Sequence, residues 1–208
     1  MESPFKQDEL EHYLFSFYPK EVVHDLLQGK LQPELKDVTI LFTDLEDFTE
    51  FASNHPPNQV VEELQSYFNQ MSEIVLKHNG WIDKFIGDSI MALFGVPNGP
   101  FSHSEDAVKA SIEMQKYMRK NIRKWRQRIG INTGSAIIGN IGSSKKPSYT
   151  AIGDSVNLSN RLCNVARPRE IIIGPQTYSR VKEKYQFESL GNIAVKGRGH
   201  VETHRVLY

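Results

Sequence analysis

With only one cysteine, Cys163, this 208-residue chain has no internal disulfide and no cysteine pair that would hold structural zinc. Its residue usage therefore fits a reducing compartment, with Cys163 as a small packing residue. An excess of charge of one sign is also missing: 25 Lys and Arg balance 25 Asp and Glu. That balance excludes a global field of the kind that draws a protein onto nucleic acid or anionic lipid, so any binding by charge must be local. Long apolar runs are absent too. No stretch approaches the roughly 18 apolar residues that span a bilayer, and the opening Met-Glu-Ser-Pro has no apolar core of a signal peptide. The chain reads as soluble and is expected in the cytoplasm. There is no internal repeat or low-complexity block, and the length suits a single domain with a short appendage.

What is present is a clear alternation of helical and strand patterns. Residues 19–28 place Pro19 at a helix start, Val22, Val23, Leu26 and Leu27 at helical spacing and Gly29 as a stop. Residues 37–43 are β-branched and apolar, which predicts a buried strand with Val38, Ile40 and Phe42 on one face. A long helix follows from Pro56, with Val60, Val61, Leu64, Tyr67, Phe68, Met71, Ile74 and Val75 as its stripe and Gly80 as its end. Strands 81–86 and 89–96 are joined by the tight Gly87-Asp88 turn. A second helix is expected over 104–125, then strands 128–133 and 135–142 turned at Thr133-Gly134, and a flexible basic loop, GSSKKPS, at 142–148. A third helix at 154–166, a strand at 170–173, a short helix near 176–183 and two weaker strands complete the chain. The order β-α-ββ-α-β with additions predicts an α+β domain whose mainly antiparallel sheet is covered by helices.

Several side chains suit chemistry. Asp44 continues the parity of Val38, Ile40 and Phe42, and burying its carboxylate unpaired would be costly. Asp88 lies at the tip of the 81–96 hairpin, and if that hairpin lies beside the first strand the two carboxylates converge. Paired carboxylates suit Mg²⁺, which takes a few hard oxygen ligands and leaves its other positions to water and phosphate. Taken alone, Asp44 more simply caps the next helix and Asp88 is more simply a turn residue. Lys84 shares strand parity with Ile82 and Ile86, so it either donates to a bound base or snorkels from an edge strand. Asn157 and Arg161 are four apart on one helix face, placed either to address ribose and phosphate or as an ordinary surface pair. Asp154 reads as that helix's cap. Lys196 offers a cation on the Gly-rich VKGRG turn.

The runs VTILFTDLEDFTEF, GWIDKFIGDSIMALFG, RIGINTGSAIIGNIGS, YTAIGDSVNLSNRL and VKGRG resemble, in order and spacing, the signature of the class III adenylyl and guanylyl cyclases. The resemblance covers about residues 36–208. It implies a ferredoxin-like βαββαβ core with additional strands and helices, paired head to tail in a homodimer with shared active sites. It further implies that Asp44, Asp88 and the Leu45 carbonyl hold two Mg²⁺ or Mn²⁺ ions, while amides near Phe48 and Thr49 cradle phosphate. By the same resemblance Lys84 and Thr150, from the opposite subunit, read the adenine of ATP, Asn157 orients the ribose, Arg161 stabilises the transition state and Lys196 binds the outer phosphates. Guanine-selective relatives usually carry Glu and Cys at positions 84 and 150.

Some positions depart from that pattern. Asp47 stands where glycine is common, and its side chain would crowd the triphosphate. Lys145 and Lys146 occupy the place of a phosphate-binding arginine, and Lys146 is the expected substitute, although lysine lacks the guanidinium fork. Thr150 resembles a bacterial subgroup in which bicarbonate stimulation is found. Residues 1–35, including FYPKEVVHDLL, are similar to the segment leading in from an upstream regulatory or membrane module, which would put the domain at the cytoplasmic face of a membrane if that module is anchored. The alternatives to an adenylate cyclase are a guanylate cyclase, disfavoured by Lys84 and Thr150, and a catalytically silent nucleotide-binding or dimerisation domain. A basic cluster of Arg119, Lys120, Arg123, Lys124, Arg126 and Arg128 raises nucleic-acid binding, but no aromatic ladder or reader motif accompanies it, and cations there also suit a helix C-terminus.

Overall fold

A computed structural model describes residues 13–15, 17–97, 99, 102–195 and 199–208. In chain order its elements are α1 (Lys20–Leu27), β1 (Glu34–Leu45), α2 (Phe48–Asn54), α3 (Pro57–Lys77), β2 (Gly80–Ile86), β3 (Ser89–Phe94), α4 (His103–Asn121), β4 (Gln127–Ser143), β5 (Lys146–Ile152), α5 (Asp154–Val165), β6 (Ile171–Ile173), α6 (Pro175–Val181), β7 (Gln186–Val195) and β8 (Gly199–Leu207). The sheet runs β2-β3-β1-β4-β6-β8-β7, with β5 paired to β4. Every pairing is antiparallel except β4 with β6. The run β1-α3-β2-β3-α4-β4 is the expected βαββαβ core, and its strands take the order 2-3-1-4.

Strand β1 is buried continuously from Val38 to Thr43 because both sheet faces are covered. On one face Leu41 and Leu45 meet Tyr67, Met71 and Val75 of α3 and Ala107, Ala110 and Met114 of α4. On the other, Val38, Ile40 and Phe42 pack with Met91, Leu93, Tyr149, Ala151 and Cys163, and Val22 of α1 joins that core. Burial pushes the Cys163 thiol well above its ordinary pKa, consistent with an inert packing residue. Among the described residues no helix is long and apolar enough to cross a membrane.

Several sequence expectations change once the strands pair. Thr133-Gly134 is not a turn. β4 runs unbroken through it, because β1 pairs with β4 along the whole of Glu34–Leu45, and the real turn lies between Ser143 and Lys146. Gly134 answers to close packing instead: a Cβ there would lie 2.4 Å from Ser155 Oγ. The segment 142–148 is correspondingly the end of β4 and the start of β5 rather than a loop. Gly80 opens β2 instead of ending α3, since its Cβ would sit 2.6 Å from the Phe94 ring, and the left-handed residue after α3 is Asn79. α4 stops at Asn121, and Trp125 is buried in the following loop. Val61 is 52% exposed and so falls off the α3 stripe. Asp154 is the first helical residue of α5, whose N-cap is Gly153. α2 and β5 had no clear local signal.

One contact determines where α5 sits. Ser159 Oγ shares its one proton between the carbonyls of Ile40 at 2.7 Å and Gly130 at 3.0 Å, and a Cβ on Gly130 would lie 2.1 Å from Cys163 N. Helix and strand therefore touch backbone to backbone. Gly130→Ala is expected to force α5 off the sheet at a cost of about 1–3 kcal/mol or more, lowering Tm by several degrees in a thermal melt. An unchanged Tm would show that the helix can shift without penalty.

Candidate active site

The end of β1 and the β2–β3 turn meet as the paired-acid pattern required. Asp88 Oδ2 accepts the Leu45 N–H at 3.0 Å, and Ser89 Oγ donates to Asp44 Oδ1 at 2.8 Å. The register between β1 and β4 sets Arg128 directly across from Asp44, and its Nε donates to Asp44 Oδ2 at 2.8 Å. Burial raises the Asp88 carboxyl above its ordinary pKa; the Leu45 amide opposes this and the Asp44 charge adds to it. Both acids line a groove of about 600 Å³ together with Leu45, Phe48, Thr49 and Arg128. The two carboxylates are an all-oxygen donor set suited to a hard divalent cation, which would take over from Arg128 the task of balancing the Asp44 charge. Among the described residues no group of three acidic, histidine or cysteine side chains forms a self-sufficient metal cage, so the remaining positions would fall to backbone, water or substrate oxygens.

The turn after β1 explains the odd Asp47. Its φ is 61°, the left-handed region that favours glycine and that Asp and Asn tolerate best among other residues. Its carboxylate is 68% exposed and 3.9 Å from Arg126 Nη2, so part of the charge that would repel a triphosphate is offset. Phe48 anchors the turn by packing its ring edge-on to Trp125 at 5.6 Å, and the amide of Thr49 lies in the uncapped first turn of α2.

Lys84 and Thr150, 66 residues apart in sequence, form a second constellation: Lys84 Nζ donates to Thr150 Oγ1 at 3.0 Å. A β-bulge at Asp83 makes this possible. Ile82 pairs with Ala92 but Lys84 pairs with Met91, so Ile82 and Lys84 do not share a face as simple parity predicts. Ile82 packs toward α3 and α4, while Lys84 turns toward β5. A third constellation lies on α5. Asn157 is exposed and Arg161 half-buried, and neither side chain bonds to another described residue. Lys146 is exposed at the start of β5, its backbone N–H bonded to Ser143 Oγ at 3.1 Å. Lys196 lies outside the described residues.

Sequence reasoning did not single out Arg128, Ser89 or Asp83 for the site. Arg128 counted only as one cation of a basic cluster; across the strand pair it belongs to Asp44. Other members of that cluster are also engaged within the chain: Arg119 lies over the Tyr208 ring, Lys124 pairs with Glu63 and Arg126 with Glu46.

A ferredoxin-like sheet with paired acids where the first strand meets the hairpin is the architecture of a nucleotidyl cyclase domain. The chain belongs to the adenylate and guanylate cyclase catalytic domain family, whose sequence model matches residues 31–207. It is similar to "Adenylate cyclase 1" of Rhizobium meliloti, at 31% identity over 89% of this chain and 30% of that protein. It is 34% identical to the "Receptor-type guanylate cyclase gcy-4" of Caenorhabditis elegans over 91% of this chain and 18% of the relative. The chain thus spans less than a third of the length of these curated relatives. Among solved structures, the adenylyl cyclase CyaB from P. aeruginosa superposes with a TM-score of 0.82 at 36% identity, covering 86% of this chain and 97% of that one.

Proposed function

We propose that this domain is an adenylate cyclase that closes ATP into 3′,5′-cyclic AMP and pyrophosphate at sites shared by two copies of the chain. The observation that carries the choice of base is the Lys84–Thr150 pair, held together at 3.0 Å. An ammonium donor beside a hydroxyl oxygen complements a ring nitrogen that accepts and an exocyclic amine that donates, which is adenine's edge.

In the reaction, the ribose 3′-hydroxyl gives up its proton to water or to the phosphate chain as O3′ bonds to the α-phosphorus and the bond to the departing pyrophosphate oxygen breaks. Asp44, Asp88 and the Leu45 carbonyl would hold two Mg²⁺ or Mn²⁺ ions. When bound, such ions supply Lewis-acid stabilisation of both the attacking and the leaving oxygens. Arg128 neutralises Asp44 in the groove. The amides at Phe48 and Thr49, with Lys146 and Lys196, hold the phosphate chain. Asn157 orients the ribose, and Arg161 meets the charge that develops on the transferring phosphorus.

Support for a homodimer comes from two features. Asn157 and Arg161 find no partner among the described residues of their own chain. In addition, Leu35, Ile137 and Ile152 lie side by side across β1, β4 and β5, 73%, 45% and 50% exposed, an apolar row that a second copy would cover. By the family resemblance, residues 1–35 would join the domain to an upstream sensor module of a longer chain, with the domain in the cytoplasm, or at the cytoplasmic face of a membrane if that module is anchored.

The test is cyclic nucleotide production from ATP and from GTP, with Mg²⁺ and with Mn²⁺, across a range of protein concentration. The expected result is preference for ATP and a rate per subunit that rises with concentration. Preference for GTP overturns the base assignment, and a concentration-independent rate from a protein that stays monomeric overturns the shared site.

A further inference from the structure

Asp83 is the most deeply buried acid near the base-reading pair. Its side chain has no solvent exposure, although it precedes a lysine that is 38% exposed. The β2 bulge turns it inward, where Thr150 Oγ1 donates to its Oδ2 at 2.6 Å, and Lys84 Nζ lies 3.7 Å away. Its other oxygen, Oδ1, has no hydrogen-bond partner. A buried carboxylate with an unused oxygen is costly, and that cost invites a functional explanation.

Bond counting supplies one. A threonine hydroxyl has one proton to donate and two lone pairs to accept with. Lys84 can only donate. Burial raises the Asp83 carboxyl above its ordinary pKa, but the Thr150 hydroxyl, the Lys84 charge and the Ala151 backbone all favour its ionised form, which can only accept. The Thr150 proton must therefore point to Asp83, and one lone pair is taken by Lys84. Toward any third group Thr150 is left with a single lone pair and no proton.

We propose that Asp83 is a positioning residue that makes the enzyme selective for adenine by locking the Thr150 hydroxyl as an acceptor. The inference rests on the adenine reading of Lys84 and Thr150. In adenine the exocyclic amine donates to that lone pair and the ring nitrogen accepts from Lys84. Guanine and hypoxanthine present the reverse edge: a carbonyl oxygen would face the lone pair and a ring N–H would face the ammonium. Thr150 is 6% exposed, so only a small part of it is open to a bound base. Without the carboxylate the hydroxyl is free to rotate and donate to the carbonyl oxygen, and the rejection of the wrong base relaxes.

The experiment compares kcat/KM for ATP with that for inosine triphosphate, which has the carbonyl and ring N–H of guanine but no 2-amino group. Asp83→Asn keeps the shape but can donate as well as accept; Asp83→Ser does the same with a smaller side chain, should the asparagine variant fail to fold. The ATP:ITP ratio is expected to fall by about tenfold or more in either variant, the scale of one mismatched buried hydrogen bond. A merely structural role would lower both substrates together. An unchanged ratio in a folded variant overturns the proposal. If the wild type prefers ATP and Thr150→Val abolishes that preference while both Asp83 variants retain it, only the role of Asp83 fails. If the wild type prefers ITP and GTP, the adenine reading itself fails, and the proposal with it.

Discussion

Asp44→Ala is expected to abolish cyclic nucleotide formation, by about a thousandfold or more, equivalent to about 4 kcal/mol of transition-state stabilisation, while the domain remains folded. The expectation rests on where the carboxylate sits. It closes the apolar face of β1, faces Arg128 across the strand pair and shares a groove with Asp88, so it is the side chain best placed to gather a cation beside the phosphates. The same geometry says why folding survives. Asp44 and Arg128 are 22% and 31% exposed, so the arginine left behind stays hydrated, and partly exposed ion pairs contribute little, about 0–1 kcal/mol. Asp44→Asn sharpens the test because it keeps the side chain's shape and an acceptor for Ser89 Oγ, while the charge and the oxygen that accepts from Arg128 are lost. Near-normal turnover in either variant, with an unchanged melting curve, would refute the metal assignment.

The second large effect is expected from Lys84→Glu combined with Thr150→Cys, which should shift the ratio of ATP to GTP turnover toward GTP by about a hundredfold, the scale on which a site loses one base and accepts another through reversed polar contacts. Asp83 adds a consequence that sequence alone does not show. Lys84 is the cation nearest that buried carboxylate, at 3.7 Å, and the double variant replaces it with a second acid. Two like charges at that distance, one fully buried, destabilise the fold. The double variant should therefore melt below the wild type, and adding Asp83→Asn should recover much of the loss. A substrate ratio that does not move would discredit the base-reading roles. A ratio that moves without any loss of Tm would instead mean that Asp83 had found another way to be neutralised.

Both predictions depend on contacts between residues far apart in the chain, which marks the boundary of what was legible beforehand. The parity of Val38, Ile40, Phe42 and Asp44 was readable because a strand has a period of two, and β1 obeys it. The Gly87-Asp88 turn was readable because glycine at φ +63° is a local requirement, and α3 because its apolar spacing is a local period. Lys84 was singled out by the same parity, but for an incomplete reason: the bulge at Asp83 resets the count between Ile82 and Lys84. A bulge inserts one residue without any fixed sequence mark, so the neighbour that turned inward went unnoticed. Gly134 misled in the opposite sense. Glycine beside threonine resembles a turn, whereas here it makes room for Ser155 under α5.

The residue sequence by itself determined the alternation of elements, the α+β class, the acid at the end of the first strand and the acid at the hairpin tip, because each depends on a period or a dihedral preference that a few neighbouring residues express. Only the tertiary structure decided that Arg128 faces Asp44, that Thr150 meets Lys84, and that Asp83 holds the hydroxyl between them. Those meetings follow from strand register and from one bulge, and register is selected by the burial of two whole sheet faces at once, a property of the assembled sheet that no local segment contains.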